Sequence, residues 1–182
     1  MIDALPGPQT QQCFVIEGWV RDKGWTAGCE VGVLRGRNLF HLLDQFPDLS
    51  MIAVDQWLKL EDTGEPGLET YVRHDMEGYV RFVTGRAAFF GERCTVLRQA
   101  SLDAVGSVPD ETLDFVFIDA CHTEAAVRAD ILAWTPKIKP SGYLTGHDRQ
   151  RPEVRRVIDD LLPGWEEWPS KCWRIARKAI RP

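Results

Sequence analysis

The stretch Ala27 to Trp57, AGCEVGVLRGRNLFHLLDQFPDLSMIAVDQW, decides the fold. It reads as a short strand, a glycine turn, an amphipathic helix and a second strand that ends on Asp55. Glu30, Gly32 and Gly36 form an E-x-G-x-x-x-G turn between the first strand and the helix. A glycine directly after a parallel strand lets the backbone turn sharply. A second, at the helix entrance, lets a ligand sit close to the exposed backbone N–H groups. Such a unit belongs to nucleotide-type cofactor binding.

Its details narrow the ligand. The dinucleotide fingerprint G-x-G-x-x-G uses three glycines to admit a pyrophosphate at the helix N-terminus. Here an acid precedes the first glycine, and only Gly32 and Gly36 are present. A carboxylate at Glu30 repels a pyrophosphate and suits a ligand with an ammonium group. Asp55, closing the second strand, can accept two hydrogen bonds from a ribose diol. Adenosine joined to an amino acid through sulfur has both features. Taken alone, the turn also fits a glycine turn in some other α/β protein.

The chain around this unit keeps alternating. Residues 1–10 hold two prolines and a glycine and read as an arm. Gln11 to Lys23 is predicted as a helix with Phe14, Val15, Trp19 and Val20 on one face, either packing over the sheet edge or forming a flap over the cofactor. Strand one covers Ala27 to Val31. The helix Arg37 to Phe46 buries Leu39, Phe40, Leu42, Leu43 and Phe46 and stops at Pro47. Strand two is Met51–Val54. The polar, turn-rich residues 58–70 form a loop of the kind that meets substrates beyond the carboxyl ends of parallel strands. Asp75 to Phe90 is helical, with Met76, Tyr79, Val80, Val83, Ala87 and Phe90 at three- and four-residue steps. Cys94–Arg98 is a third strand and Leu113–Ile118 a fourth, whose continuous apolar run fits a sheet covered on both faces. The next helix carries Val127, Ile131, Trp134 and Ile138, with Pro136 set to shorten or kink it. Pro140 to Gly142 turns the chain into Tyr143–Thr145, a fifth strand. A helix from Pro152 buries Val154, Val157, Ile158, Leu161 and Leu162. Trp165–Trp168 and Cys172–Arg177 form an antiparallel hairpin. The expected fold is α/β: a doubly wound, Rossmann-like sheet of seven strands, mostly parallel, in a single domain over 1–182, with 1–24 as N-terminal arm and helix.

Composition sets the outer limits. The chain has 182 residues, 44% hydrophobic and 27% charged, as in an ordinary globular protein. Its net charge of −5 disfavours a phosphate-backbone partner, and Arg149, Arg151, Arg155 and Arg156 read as a solvated helix start rather than a nucleic-acid site. Five dispersed cysteines without a C-x-x-C fit a reducing compartment better than a disulfide framework or a zinc site. No apolar run approaches the ~18 residues that span a bilayer, and the N-terminus lacks the regions of a signal peptide. No nucleic acid, no membrane and a cytoplasmic location are expected.

The fourth and fifth strands carry a resemblance. Phe117-Ile-Asp119-Ala-Cys-His122-Thr-Glu-Ala-Ala-Val-Arg-Ala-Asp130, then Trp134, then Ile138-Lys-Pro-Ser-Gly142-Tyr-Leu-Thr-Gly-His147-Asp148, resembles a class I S-adenosylmethionine-dependent methyltransferase. It is closest to the small-molecule O-methyltransferase-like group of the "methyltransferase domain 24" type, and the match runs from about Trp25 to the C-terminus. Ser141 departs from the usual glycine, and Cys121 stands where an acid is common. The resemblance implies that Glu30, Gly32, Val33 and Gly36 line the methionine part of S-adenosylmethionine, with Asp119 beside it. Asp55 would hold the ribose hydroxyls, Gln56 and Trp57 would flank the adenine, and Ala100-Ser101 would face its edge. A core aromatic is the plainer reading of Trp57.

Asp119, His122, His147 and Asp148 form a second constellation, since strands four and five are neighbours in this fold. Two hard carboxylates suit Mg²⁺ or Ca²⁺. A cation there would lower the pKa of a substrate hydroxyl and hold it in line with the methyl sulfonium. By resemblance to the metal-dependent enzymes of the catechol and macrolide-sugar types, Asp119 and Asp148 match metal ligands and His122 the general base. Those sugar enzymes carry a carboxylate at the position of His147. A histidine there leaves a softer metal, a second base or a strand cap as readings, and His122 could equally be a helix-start residue. No (N/D)-P-P-(Y/F) motif of amino-methylating enzymes follows strand four, and no basic, aromatic-interleaved stretch points to RNA. The expected activity is methyl transfer to a small-molecule hydroxyl. The alternative is a non-catalytic cofactor-binding domain that acts through a partner, since only residues 1–24 and 58–74 remain to build a lid. A second subunit in a homo-oligomer could complete the pocket. NAD-linked oxidoreduction is disfavoured by the missing third glycine.

Overall fold

The computed structural model describes residues 11–59 and 74–180. The expected arm at 1–10 and most of the loop at 58–70 lie outside those residues. Helix α1 (Gln11–Lys23) leads into β1 (Ala27–Val31), α2 (Arg37–Gln45) and β2 (Ser50–Val54). After them come α3 (Met76–Ala87), β3 (Cys94–Leu97), the short α4 (Ser101–Ala104), β4 (Leu113–Ile118), α5 (Glu124–Trp134) and β5 (Ile138–Gly146). Helix α6 (Pro152–Leu161), β6 (Glu166–Glu167) and β7 (Trp173–Ala176) complete the order.

The strands form one seven-stranded sheet in the order β3-β2-β1-β4-β5-β7-β6. The first five pair in parallel, and β7 pairs antiparallel with both β5 and β6. The doubly wound sheet with a C-terminal antiparallel hairpin, expected from the alternation of elements, is therefore present. Strand order reverses between β1 and β4, so the loops leaving these two neighbours diverge and open a crevice at the carboxyl edge.

Both faces of the sheet are covered, and the strand period of two divides the core. Met51, Ala53, Phe115 and Phe117 pack under α1, α2 and α3 with Trp19, Leu39, Phe40 and Val83. Cys29, Val31, Val54, Val116 and Ile118 point the other way, to Ala104, Val127, Ile131, Trp134 and Val157. Among the described residues no helix is long and apolar enough to cross a membrane.

Some details differ from the sequence reading. The α1 face that meets the core is Cys13, Ile16, Trp19 and Val20, whereas Phe14 is 52% exposed. Ile138 is the first residue of β5 rather than the end of a helical stripe. Helix α5 stops at Trp134, and Thr135–Lys137 continues as a 3-10 turn carrying Pro136. Strand β5 begins earlier than expected, yet Leu113 pairs with Ile138 and Phe115 already with Tyr143. The intervening residues bulge out of the ladder, where Pro140, which has no N–H to give, does no harm.

Candidate active site

The crevice is set by how closely two backbones approach. Gly32, just past β1, has φ 93, and a Cβ built on it would lie 2.2 Å from the carbonyl oxygen of Asp119, just past β4. Only glycine allows that approach and that backbone. Hydrogen bonds bring the strand ends level: Gly32 N–H donates to Val54 O (2.9 Å), Asp119 N–H to Val31 O (2.8 Å) and His147 N–H to Ile118 O (3.1 Å).

Two cavities meet there. One, of about 400 Å³, runs from Glu30, Asn38 and Arg37 to Asp119, His122 and Asp148. The other, of about 390 Å³, lies between Gln56, Gln99, Ala100, Ser101, Cys121 and Asp130. Both are walled by Gly32, Asp55 and Ala120, so together they form one trough across the strand ends. Its size is in the range of small-molecule and cofactor sites.

Asp55 holds the glycine turn. Its Oδ2 accepts from Val33 N–H (3.0 Å) and Leu34 N–H (2.9 Å), and its Oδ1 from Trp57 N–H (2.8 Å). Leu34 (φ 48) and Trp57 (φ 43) both carry a left-handed backbone that bulky residues rarely adopt. The indole Nε1 of Trp57 donates to Leu34 O at 2.7 Å and closes the clamp. Trp57 is 1% exposed and walls neither half of the trough. Its place is that of a core aromatic locking the turn. Gln56, by contrast, faces the second cavity. Burial holds the Asp55 carboxyl above its ordinary range, outweighing its three backbone partners. With both lone-pair directions of Oδ2 taken, one on Oδ1 remains for a ligand.

Glu30 behaves differently from the ready carboxylate expected of it. It is 2% exposed, accepts from Asn38 Nδ2 (2.8 Å) and leaves its buried Oε2 without a partner. Burial, assisted by Asp119 and Asp55, outweighs the Asn38 bond and pushes the carboxyl up to about 8. Without a ligand it is therefore largely protonated at neutral pH. An ammonium group reaching Oε2 would supply the missing partner and restore the ionised form. Asn38 in turn accepts from Cys13 Sγ (3.0 Å), which ties this wall to α1.

In the second cavity Ala100 and Ser101 lie at the N-terminus of α4. Ser101 Oγ accepts from Trp134 Nε1 (2.8 Å) and donates to Asp130, whose carboxyl burial lifts to about 6. Asp130 and Trp134 stand within the quoted strand-four motif, so the signal for this buried network was present in the residues; their spacing alone did not reveal it as cavity wall.

At the other end, β4 and β5 bring Asp119, His122, His147 and Asp148 together. His122 precedes Thr123, the N-cap of α5, so it sits in the loop rather than in the helix. The Trp173 indole donates to His147 O (3.1 Å) and fixes the β5 terminus. His122 Nε2 is 2.8 Å from Asp148 Oδ2 and 3.7 Å from Asp119 Oδ1. His147 Nδ1 is 3.3 Å from Asp148 Oδ2 and 3.6 Å from Asp119 Oδ1. Gln12 Nε2, from α1, donates to Asp119 Oδ2 at 3.0 Å, a contact no sequence motif announced. Burial would push the His122 imidazole down, but Asp119 and Asp148 outweigh it and lift it to about 9. His147 is raised in the same way. Burial raises Asp148, yet its two histidine neighbours hold it far below the ordinary carboxylate range. In this state the His122 imidazole is an acid at neutral pH, and a base role requires its proton to leave first.

The same atoms test a metal. Despite its 2.8 Å approach to Asp148, His122 Nε2 is buried without the alignment an N–H bond needs. Donor atoms of Asp119, His122 and Asp148 all lie within 4.8 Å of one another. Donor atoms that converge this closely fit a shared cation. Two carboxylates with imidazole suit Mn²⁺, Fe²⁺ or Zn²⁺ better than Ca²⁺.

A family model described as a methyltransferase domain matches residues 29–149, which include both strand-end clusters. The chain belongs to the methyltransferase domain family. It is 31% identical over 133 residues to the uncharacterized protein y4gI of Sinorhizobium fredii (strain NBRC 101917 / NGR234), covering 71% of this chain and 12% of that protein. The chain thus spans about an eighth of that relative's length. Among solved structures, the O-methyltransferase NovP matches with TM-score 0.68 at 17% identity, over 92% of this chain and 78% of its own. The calicheamicin methyltransferase CalS11 matches with TM-score 0.68 at 12% identity, over 94% of this chain and 80% of its own. Cofactor-bound Rv0187 from MTB matches with TM-score 0.63 at 14% identity, over 98% and 84%. At these identities the likeness is one of fold, and the methyltransferase fold is the one described above.

Proposed function

We propose that this methyltransferase moves the methyl group of S-adenosylmethionine to a hydroxyl oxygen of a small-molecule acceptor. The observation that carries the reading is the continuous trough, with an orphaned buried carboxyl oxygen at Glu30 in its wall and the Asp119–His122–His147–Asp148 cluster at one end. The adenine occupies the second cavity between Gln56 and Ala100-Ser101. A ribose hydroxyl reaches the free lone-pair direction of Asp55 Oδ1, at the wall shared by both cavities. The amino-acid part lies along Glu30, Gly32, Val33 and Gly36, its ammonium against Glu30 Oε2. Asp119 then stands beside the methyl-bearing sulfur.

In the transfer, an acceptor oxygen attacks the methyl carbon, the carbon–sulfur bond breaks, S-adenosylhomocysteine leaves, and the hydroxyl proton passes to the cluster. Placement of the oxygen in line with the sulfonium supplies most of the effect. Asp119, Asp148 and His122 would hold a divalent cation, with His147 adjoining. Such a cation, when bound, lowers the pKa of the acceptor hydroxyl. Gln12 orients Asp119, and His122 or His147 takes a proton once it has released its own.

Titration calorimetry with S-adenosylhomocysteine tests the reading. One-site binding in the micromolar range is expected, and absence of heat at millimolar ligand sinks it. His122→Ala should lower turnover with that affinity intact. Cofactor binding without turnover across a broad hydroxyl panel would instead favour a non-catalytic domain that acts through a partner.

A further inference from the structure

The second cavity is walled largely by small apolar groups, Val31, Val54, Ala120 and Ala126 among them. Such walls hold a flat ring without orienting it, so the polar groups at the ring's edge decide which base fits. The amides of Gln56 and Gln99 can each turn over to present oxygen or nitrogen, and so accept an amino or an oxo group alike. Asp103 lies at the exposed rim. Asp130 differs from all of these. It is 4% exposed, lines the cavity and makes no ion pair among the described residues.

Its neighbours fix which oxygen is free. The Trp134 indole N–H can only donate, and Ser101 Oγ accepts it at 2.8 Å. The single hydroxyl hydrogen of Ser101 then goes to Asp130 Oδ1. Oδ2 has no hydrogen-bond partner among the described residues, yet it is not sealed from solvent, so it opens on the cavity. Burial lifts the carboxyl only to about 6, which leaves it ionised above neutral pH, where Oδ2 accepts and cannot donate. A buried acceptor without a partner is costly, and a ligand hydrogen placed there removes the cost.

We propose that Asp130 reads the base of the cofactor: its Oδ2 accepts a hydrogen of the adenine 6-amino group and turns away a purine with an oxo group there. The proposal rests on the methyl-transfer reading, in which adenine fills this cavity with its edge toward Ala100-Ser101. Asp130 stands one hydrogen bond behind that edge. With a 6-oxopurine, two acceptors would face each other with no hydrogen between them. Ser101 and Trp134 are positioning residues: their chain of bonds anchors Oδ1 and keeps Oδ2 turned to the base.

Calorimetry with three ligands tests the proposal: S-adenosylhomocysteine, its hypoxanthine counterpart S-inosylhomocysteine, and the counterpart whose purine carries only hydrogen at position 6. Wild type should bind them in the order amino, hydrogen, oxo, with at least about a tenfold gap between first and last. In Asp130→Asn, Ser101 can still donate to Oδ1, which turns the Nδ2 hydrogens toward the cavity. The ratio of amino to oxo affinity should then fall to near one. A residue that only props the fold would weaken all three ligands alike, so an unchanged ratio in Asp130→Asn overturns the proposal. The wild-type series decides without any variant, should Asp130→Asn fail to fold. Equal affinity for the amino and hydrogen ligands would leave the amino group without a partner and overturn the proposal, with methyl transfer standing. Absence of S-adenosylhomocysteine binding to the wild type overturns the methyl-transfer reading itself, and the base assignment with it.

Discussion

Two parts of the trough, the junction of its cavities and its acid–histidine end, are built from different material. Around Gly32 and Asp55 the site is backbone: positive-φ residues, strand ends and N–H groups held by one carboxylate. Around Asp119 and Asp148 it is side chain: two acids and two imidazoles in close approach, one imidazole nitrogen without a proper bond. The first part belongs to what makes the sheet fold, and the second is mounted on a sheet that has already folded. Damage to the first should therefore register as lost stability, and damage to the second as lost turnover.

The largest effect should come from Gly32→Ala. Its Cβ would meet the Asp119 carbonyl at 2.2 Å in a backbone with φ 93, and neither neighbour is a flexible side chain that can yield. A loss of about 4 kcal/mol or more, read by chemical denaturation, follows from the combined clash and strain. A stable variant with wild-type cofactor affinity would show the close approach to be dispensable. Asp55→Ala comes next. It frees three backbone N–H groups and the clamp on Leu34 and Trp57, for about 3 kcal/mol.

The acid–histidine end should show the opposite pattern. His122→Ala should cut kcat by about a hundredfold and cost less stability than Gly32→Ala, since Asp148 keeps His147 as partner. Melting that falls in step with activity would erase the distinction between the two parts. Mn²⁺ titration followed by electron paramagnetic resonance should show one site in the wild type that Asp119→Ala abolishes. Activity that survives exhaustive chelation would remove the cation from the mechanism.

The smallest effect lies at Glu30. An acid whose folded pKa lies above its unfolded value weakens the fold as pH rises. The unfolded chain releases the proton near 4.5 and the folded chain only near 8, so stability falls across that window and levels off above it. Glu30→Gln should flatten this slope and raise the melting temperature of the cofactor-free protein at pH 8 by about 5 °C. An unchanged pH profile would mean that Glu30 is already ionised in the folded protein.

The contrast also explains what could be read in the residues. The alternation of short apolar runs with amphipathic helices is local, and it led to the seven-stranded topology because both faces of each central strand must be covered. Glu30, Gly32 and Asp55 were legible for the same reason: each sits where a strand ends. Their state was not. The protonation of Glu30 follows from burial beneath α1 and α2, and the clamp role of Trp57 from a backbone conformation that no pattern signals. Gln12 reaches Asp119 from a distant segment, so spacing along the chain carries no trace of their meeting.

The central claim is that Glu30 and the glycine turn receive the amino-acid end of an adenosyl cofactor. Calorimetry comparing S-adenosylhomocysteine with 5′-methylthioadenosine, which lacks that end, tests it most directly. The expected result is at least about a tenfold preference for S-adenosylhomocysteine that Glu30→Gln largely removes, as for loss of one charge-assisted contact. Equal affinity for the two ligands in the wild type, or a preference that persists undiminished in Glu30→Gln, would contradict the account.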